Sequence, residues 1–229
     1  MRSFIFSVFF FSLIVSGETL AMSLIAHPRG PEGRQEIKRN IEIQGADNIL
    51  SISFESPEPD RVIDHTNGKP VRARETNGGG FYAVFEYAGH FWQGTFGSWS
   101  IETAIIPRHE SDKPMASYED LRQVLLNQIS RSAPKAPSTT VLENLKQYEP
   151  KYDQLNGFPC LKSIIKAPVG GSEETEYFLF FDAEKYLRVR TSFVDNSGRK
   201  GLPQSDWRQR ATKLSEAVTK SLRIQIRKR

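Results

Sequence analysis

Cysteine is almost absent: the 229-residue chain contains only Cys160. A lone thiol excludes an internal disulfide, so the fold must rest on its core. Cys160 sits among apolar neighbours in Gly157-Phe158-Pro159-Cys160-Leu161, which reads as a small buried hydrophobe, with a reactive thiol or an intermolecular disulfide as the other options. Histidine is scarce too. His27, His65, His90 and His109 are scattered along the chain, whereas a metal centre needs ligands converging at fixed spacings. Asp60, Asp64 and Asn67 do not complete a calcium loop. No Gly-x-Ser-x-Gly occurs; Ser98 has glycine on one side only. The cluster Asn77-Gly78-Gly79-Gly80 precedes a strand-like run, and a phosphate cradle needs a helix there. No catalytic, cofactor-binding or metal residues are therefore expected, and no cofactor.

An excess of one charge is also missing. Lysine and arginine number 31 against 27 acidic residues, for a net charge of +4. The two signs are interspersed until Arg227-Lys228-Arg229, unlike the clustered basic face of a nucleic-acid binder, so nucleic acid is not an expected partner. Nor does any apolar run reach the roughly 20 residues of a membrane-spanning helix. The longest, Phe4 to Val15, is broken by Ser7 and Ser12, follows Met1-Arg2, and gives way to Ser16-Gly17-Glu18-Thr19-Leu20-Ala21. A positive start, a short apolar stretch and a small-residue exit make a signal peptide. Cleavage fits after Ala21 or after Gly17, with Ala21 preferred; a start at Met22 is the alternative. The expected product has no stable membrane anchor after cleavage and is periplasmic or secreted.

Residues 1–21 are thus expected to be signal peptide, 22–36 a flexible or extended segment rich in Pro, Gly and charge, and 37–226 a single domain. Within that domain Ile37, Ile41 and Ile43, and then Leu50, Ile52 and Phe54, alternate with polar residues, the period of a half-buried strand. Arg61 to Asp64 and Val71 to Arg74 are weaker strands. Phe81 to Tyr87, His90 to Phe96 and Trp99 to Ile106 read as a three-strand meander with turns at Ala88-Gly89 and Gly97-Ser98. Ser117-Tyr118-Glu119-Asp120 is a capping box ahead of Leu121, Val124, Leu125 and Ile129, a helix ended at Ser132-Ala133-Pro134. Val141 to Tyr148 leans to strand. Cys160 to Lys166, Tyr177 to Phe181 and Tyr186 to Val194 are further strands. Behind a Ser205 cap, Trp207, Ala211, Leu214, Val218 and Leu222 form one helical stripe, and Leu222, Ile224 and Ile226 then alternate as a closing strand.

Strands, helix, strands, helix specify an α+β class: one twisted antiparallel sheet flanked by two amphipathic helices. This order, with the capped mid-chain helix, the late hairpin Tyr177 to Val194 and the terminal Val218-Thr219-Lys220-Ser221-Leu222-Arg223-Ile224, resembles the PsbP/Mog1-like sandwich group over about residues 37 to 226. The resemblance implies a non-enzymatic binding or assembly role.

Aromatic density carries the remaining signal. Phe91, Trp92, Phe96 and Trp99 crowd neighbouring strands, and alternation cannot place all of them on the face of Phe81, Ala83 and Phe85. Either helices cover both faces, or some aromatics are exposed for a partner. Phe91, Trp92 and Trp99, with the basic stripe Arg188 and Arg190, are the candidate partner-binding residues. The functional expectation is protein–protein contact with another exported or envelope protein, as an assembly factor or immunity-type inhibitor. Two alternatives stand beside it: a carrier of a lipid or other apolar molecule, and a hydrolase drawing acid and base from Asp64, His65, His90 and Glu102.

Overall fold

The computed structural model describes residues 29–44, 47–64, 80–88, 94–132, 148–166, 172–196 and 206–229. The leader, the segment Val71 to Arg74, the Asn77–Gly79 turn, Phe91, Trp92, all of the expected Val141 to Tyr148 element but Tyr148, and the Ser205 cap lie outside these residues, as do His27, His65 and His90. Ten strands and two helices are present among them: β1 Glu36–Gln44, β2 Asn48–Pro57, β3 Arg61–Asp64, β4 Gly80–Ala88, β5 Thr95–Pro107, α1 Tyr118–Ser132, β6 Lys151–Leu155, β7 Phe158–Lys166, β8 Glu173–Phe180, β9 Lys185–Asp195, α2 Trp207–Ser221 and β10 Arg223–Lys228.

The class is α+β and the pairing antiparallel throughout, but the strands divide between two sheets where one was expected. Seven run in the order β3-β4-β5-β9-β8-β7-β6, and β1-β2-β10 form a smaller sheet. Ile224 and Ile226 pair with Ile52 and Leu50, so the alternation at the C-terminus does make a strand. Its partner is β2, near the start of the domain.

The main sheet is covered on both faces. On one, Ile41, Ile43, Leu50, Ile52 and Phe54 of the small sheet and Trp207, Ala211 and Val218 of α2 pack on Phe81, Phe85, Trp99, Ile101, Leu187 and Val189. On the other, Leu121, Val124 and Leu125 of α1, with Met115, pack on Leu161, Phe178 and Tyr186. Burying each such aliphatic side chain contributes about 1.5–3 kcal/mol.

Among the described residues the meander has two strands where three were expected. Gly97 and Ser98 lie inside β5, paired with Tyr87 and Glu86. Glycine is there because the Trp207 ring rests on it: a Cβ at Gly97 would sit 2.3 Å from that ring. Beside it the register shifts between Tyr87 and Ala88, whose partners are Gly97 and Thr95. Phe96 is left as the extra residue of a bulge and turns inward despite its parity.

The capping box forms in a modified way. Ser117 Oγ accepts from the Asp120 N–H at 3.2 Å and donates to Asp120 Oδ2 at 2.8 Å, while Oδ2 also accepts from the Ala116 N–H at 2.9 Å. Strand β6 was not anticipated. It is joined to β7 by Asn156-Gly157, both at positive φ (52° and 81°), the pairing that a two-residue hairpin turn demands. The Asn156 amide donates to Thr219 O at 2.6 Å and Leu222 O at 2.8 Å, closing the C-terminus of α2. Residues 29–35 lie against the domain with a turn at Pro31 to Arg34, closed by the Arg34 N–H donating to Pro31 O at 3.2 Å: Arg29 and Ala88 exchange backbone hydrogen bonds, Glu32 pairs with Arg210 at 2.6 Å and Arg34 with Asp60 at 2.9 Å. None of the described helices is long and apolar enough to cross a membrane.

Candidate functional site

Strand parity builds the site. The even-numbered residues of β9 point away from the α2 side, placing Tyr186, Arg188 and Arg190 beneath α1 and along the sheet surface beyond it. Neighbouring strands bring carboxylates to the same face: Arg190 stands opposite Glu102 of β5 and Glu176 of β8. Arg188 reaches Glu102 at 3.2 Å and Glu176 at 3.6 Å; Arg190 reaches Glu102 at 2.5 Å and Glu174 at 3.7 Å. Two guanidiniums are thus shared among three carboxylates. Burial pushes the Glu176 carboxyl above the ordinary glutamate range; Arg188 and Arg190 oppose the shift, and Glu174 and Glu102 add to it.

Where α1 leaves this face, a cleft of about 410 Å³ opens between helix and sheet. Leu125 and Ile129 of α1, Tyr148 and Pro150 before β6, Ile165 of β7, Phe178 of β8 and Tyr186 of β9 form apolar walls. Gln128, Ser163, Glu176 and Arg188 supply its polar groups. Two hydrogen bonds fix the walls. The Tyr186 hydroxyl donates to Gln128 Oε1 at 3.0 Å, and Ser163 Oγ donates to Tyr148 O at 2.9 Å. The first ties β9 to α1 and the second ties β7 to the segment before β6, so these lining side chains are pinned. A second depression, of about 280 Å³, lies on the small sheet beside Asn40, Ser51, Ser53 and Arg223, with Ile41 and Ile52 among its mainly polar lining.

Of the residues expected to meet a partner, Trp99 is interior. It is 0% exposed and packs on Phe85 at 5.1 Å between ring centroids. Helix α2 and the small sheet cover the face to which Trp99 turns, so it offers no surface. Phe91 and Trp92 lie outside the described residues. Arg188 and Arg190 are half-buried in the carboxylate lattice. The sequence pointed to these two arginines but not to their partners, since Glu174 and Glu176 precede the predicted strand Tyr177 to Phe181. The observed β8 starts at Glu173, and the even parity they share with Phe178 was the available signal.

The hydrolase constellation is not assembled among the described residues. Glu102 is held by both arginines, and His65 and His90 fall outside. His109 is on the surface, its Nδ1 2.9 Å from Ser111 Oγ. No three His, Cys, Asp or Glu side chains among the described residues are grouped to hold a metal. Cys160 is buried, its thiol pushed up to about 11 by desolvation, the opposite of an activated nucleophile.

No protein-family model matches the chain, and no curated protein matches it. Among solved structures, it is similar to LpqN of Mycobacterium tuberculosis, described as involved in cell envelope biogenesis, with 7% identity over 83% of this chain and 92% of that one and a TM-score of 0.34. It is similar also to a protein of Bacteroides thetaiotaomicron, with 12% identity over 76% of this chain and 45% of that one and a TM-score of 0.30.

Proposed function

We propose that this chain is an exported binding protein that holds a small amphipathic molecule in the cleft between α1 and the main sheet. The observation that carries this reading is the cleft itself. Its 410 Å³ falls within the roughly 300–1,000 Å³ of small-molecule sites, and its walls are apolar with polar groups confined to a few positions, the division of labour such sites use. Export is read from the leader Met1 to Ala21. The layering, with α1 on one sheet face and α2 on the other, is compatible with a PsbP/Mog1-like sandwich to which β1-β2-β10 is added beside α2; the binding role drawn from that group is analogy.

The protein-contact reading has less support. It drew on surface aromatics, and Trp99 is in the core, while Arg188 and Arg190 already share three carboxylates. Titration with the uncharged fluorophore N-phenyl-1-naphthylamine tests the cleft. Saturable one-to-one enhancement is expected, and Ile129→Trp, which fills the cleft from a half-buried helix position, should abolish it. Absence of saturable binding, or binding indifferent to that substitution, overturns the reading. For export, the mass of the chain recovered from the envelope fraction should correspond to a start at Met22.

A further inference from the structure

We infer that the cleft selects a cationic amphiphile: an aliphatic chain along the apolar walls with a protonated primary amine at the Glu176 end. The inference rests on reading the cleft as a ligand site, and it follows from the charges that face that end.

On β8, Glu176 has Glu174 beside it; from β9 it faces Arg188 and Arg190, and across β9 lies Glu102 of β5. On the other side β7 presents Ser163, its register partner, which carries no charge. From α1 the cleft receives Leu125, Gln128 and Ile129, again uncharged. The cation of α1 nearest in sequence, Arg131, is committed to Asp112 at 2.8 Å. Lys162 of β7 points to the opposite sheet face and pairs with Asp153 at 3.2 Å. Among the described residues, then, three carboxylates share two guanidiniums, and this network, one positive charge short, meets the cleft through Glu176 and Arg188.

The shortfall weighs most on Glu176. Glu102 is ion-paired with both arginines, at 3.2 and 2.5 Å, and Glu174, with one pair at 3.7 Å, is 32% exposed; Glu176 has one ion pair, at 3.6 Å, although its side chain is only 13% exposed. A carboxylate taken out of water with weak compensation attracts either a proton or a cation. An ammonium group in the cleft supplies the cation and makes a charge-assisted hydrogen bond, which is stronger than a neutral one. A carboxylate ligand would add a fourth negative group. Arg188 does keep a buried Nε–H without an acceptor among the described residues, but its two Nη groups are already shared between Glu102 and Glu176, so that position suits a neutral oxygen better than a countercharge.

The test is calorimetric titration of the full mature chain with octylamine, octanol and octanoate, which share a chain length and differ in head group. Octylamine should bind at least about tenfold tighter than octanol, the scale of one charge-assisted hydrogen bond, with octanoate weakest. Glu176→Gln should bring octylamine binding down to the level of octanol; a cooperative thermal melt and an unchanged far-ultraviolet circular dichroism spectrum show that the variant is folded. In the unaltered protein the preference should shrink as pH falls and Glu176 takes up a proton, a readout that needs no variant. Octanol binding as tightly as octylamine, octanoate binding tighter, or a preference that survives Glu176→Gln overturns the inference and leaves the cleft standing. Binding of none of the three removes the cleft reading and the inference together.

Discussion

Glu176 Oε1 and Arg188 Nη1 lie 3.6 Å apart, close enough to attract and too far for a full hydrogen bond. Because burial outweighs Arg188 and Arg190 in setting the Glu176 proton affinity, the folded protein binds a proton there more tightly than the unfolded chain does. With the folded value above the unfolded one, stability falls as pH rises from 4.5 through the raised value. Glu176→Gln lacks that loss. Thermal melts of the two proteins should converge below pH 4.5, and the variant should hold equal or higher stability at pH 7. A variant that is less stable at pH 7 than at pH 4, relative to wild type, would mean that the carboxylate is favoured in the fold.

Asp112 has the opposite sign. Its side chain is 2% exposed, and Arg131 donates to both its oxygens at 3.0 and 2.8 Å, with Asn127 adding a third bond at 2.8 Å. Hydrogen bonding from Arg131 outweighs burial and holds the carboxyl down to about 2. The contribution is complete above the ordinary value of 3.8 and is lost as pH falls toward 2. Asp112→Asn should cost about 1–3 kcal/mol at neutral pH and flatten the acid limb of the stability curve between those values. Denaturant titrations at pH 7 and pH 3 check both parts.

Trp99 and Gly97 should behave as core positions. Trp99→Ala removes a wholly buried indole, which costs about 3–5 kcal/mol. Gly97→Ala adds one methyl group against the Trp207 ring and should cost about 1–3 kcal/mol through overpacking. Either variant matching wild-type stability in urea would mean that α2 does not sit on β5 as described.

These two residues also mark where the sequence was legible and where it was not. Alternation identified most of the strands, and the Ser117 box and the Trp207 to Leu222 stripe located both helices, because those signals are local. A glycine inside a run of β-formers has two physical meanings, a turn or a close approach, and only the Trp207 ring separates them at Gly97. The bulge at Phe96 broke the parity on which the placement of Trp99 depended. Asn156-Gly157 was a readable turn signal hidden among the polar residues of β6. Arg188 and Arg190 were visible as a stripe, but their carboxylates come from β5 and β8, and the cleft depends on how far α1 stands from the sheet, which no local pattern encodes.

Cys160 should be slow to react. It is buried and its thiol is pushed up to about 11, so little thiolate exists at neutral pH. Ellman's reagent should label the folded protein far more slowly than the urea-unfolded chain, and non-reducing gels should show no crosslinked dimer. Rapid labelling in the native state would place the thiol at the surface.

The account depends most on where an amphiphile settles. In an isotope-filtered NMR experiment on the protein with octanol, nuclear Overhauser contacts from the octanol methylenes should reach Leu125, Ile129, Ile165 and Phe178. Contacts confined to other residues, or none at concentrations that saturate binding, would contradict the assignment of the cleft as the binding site.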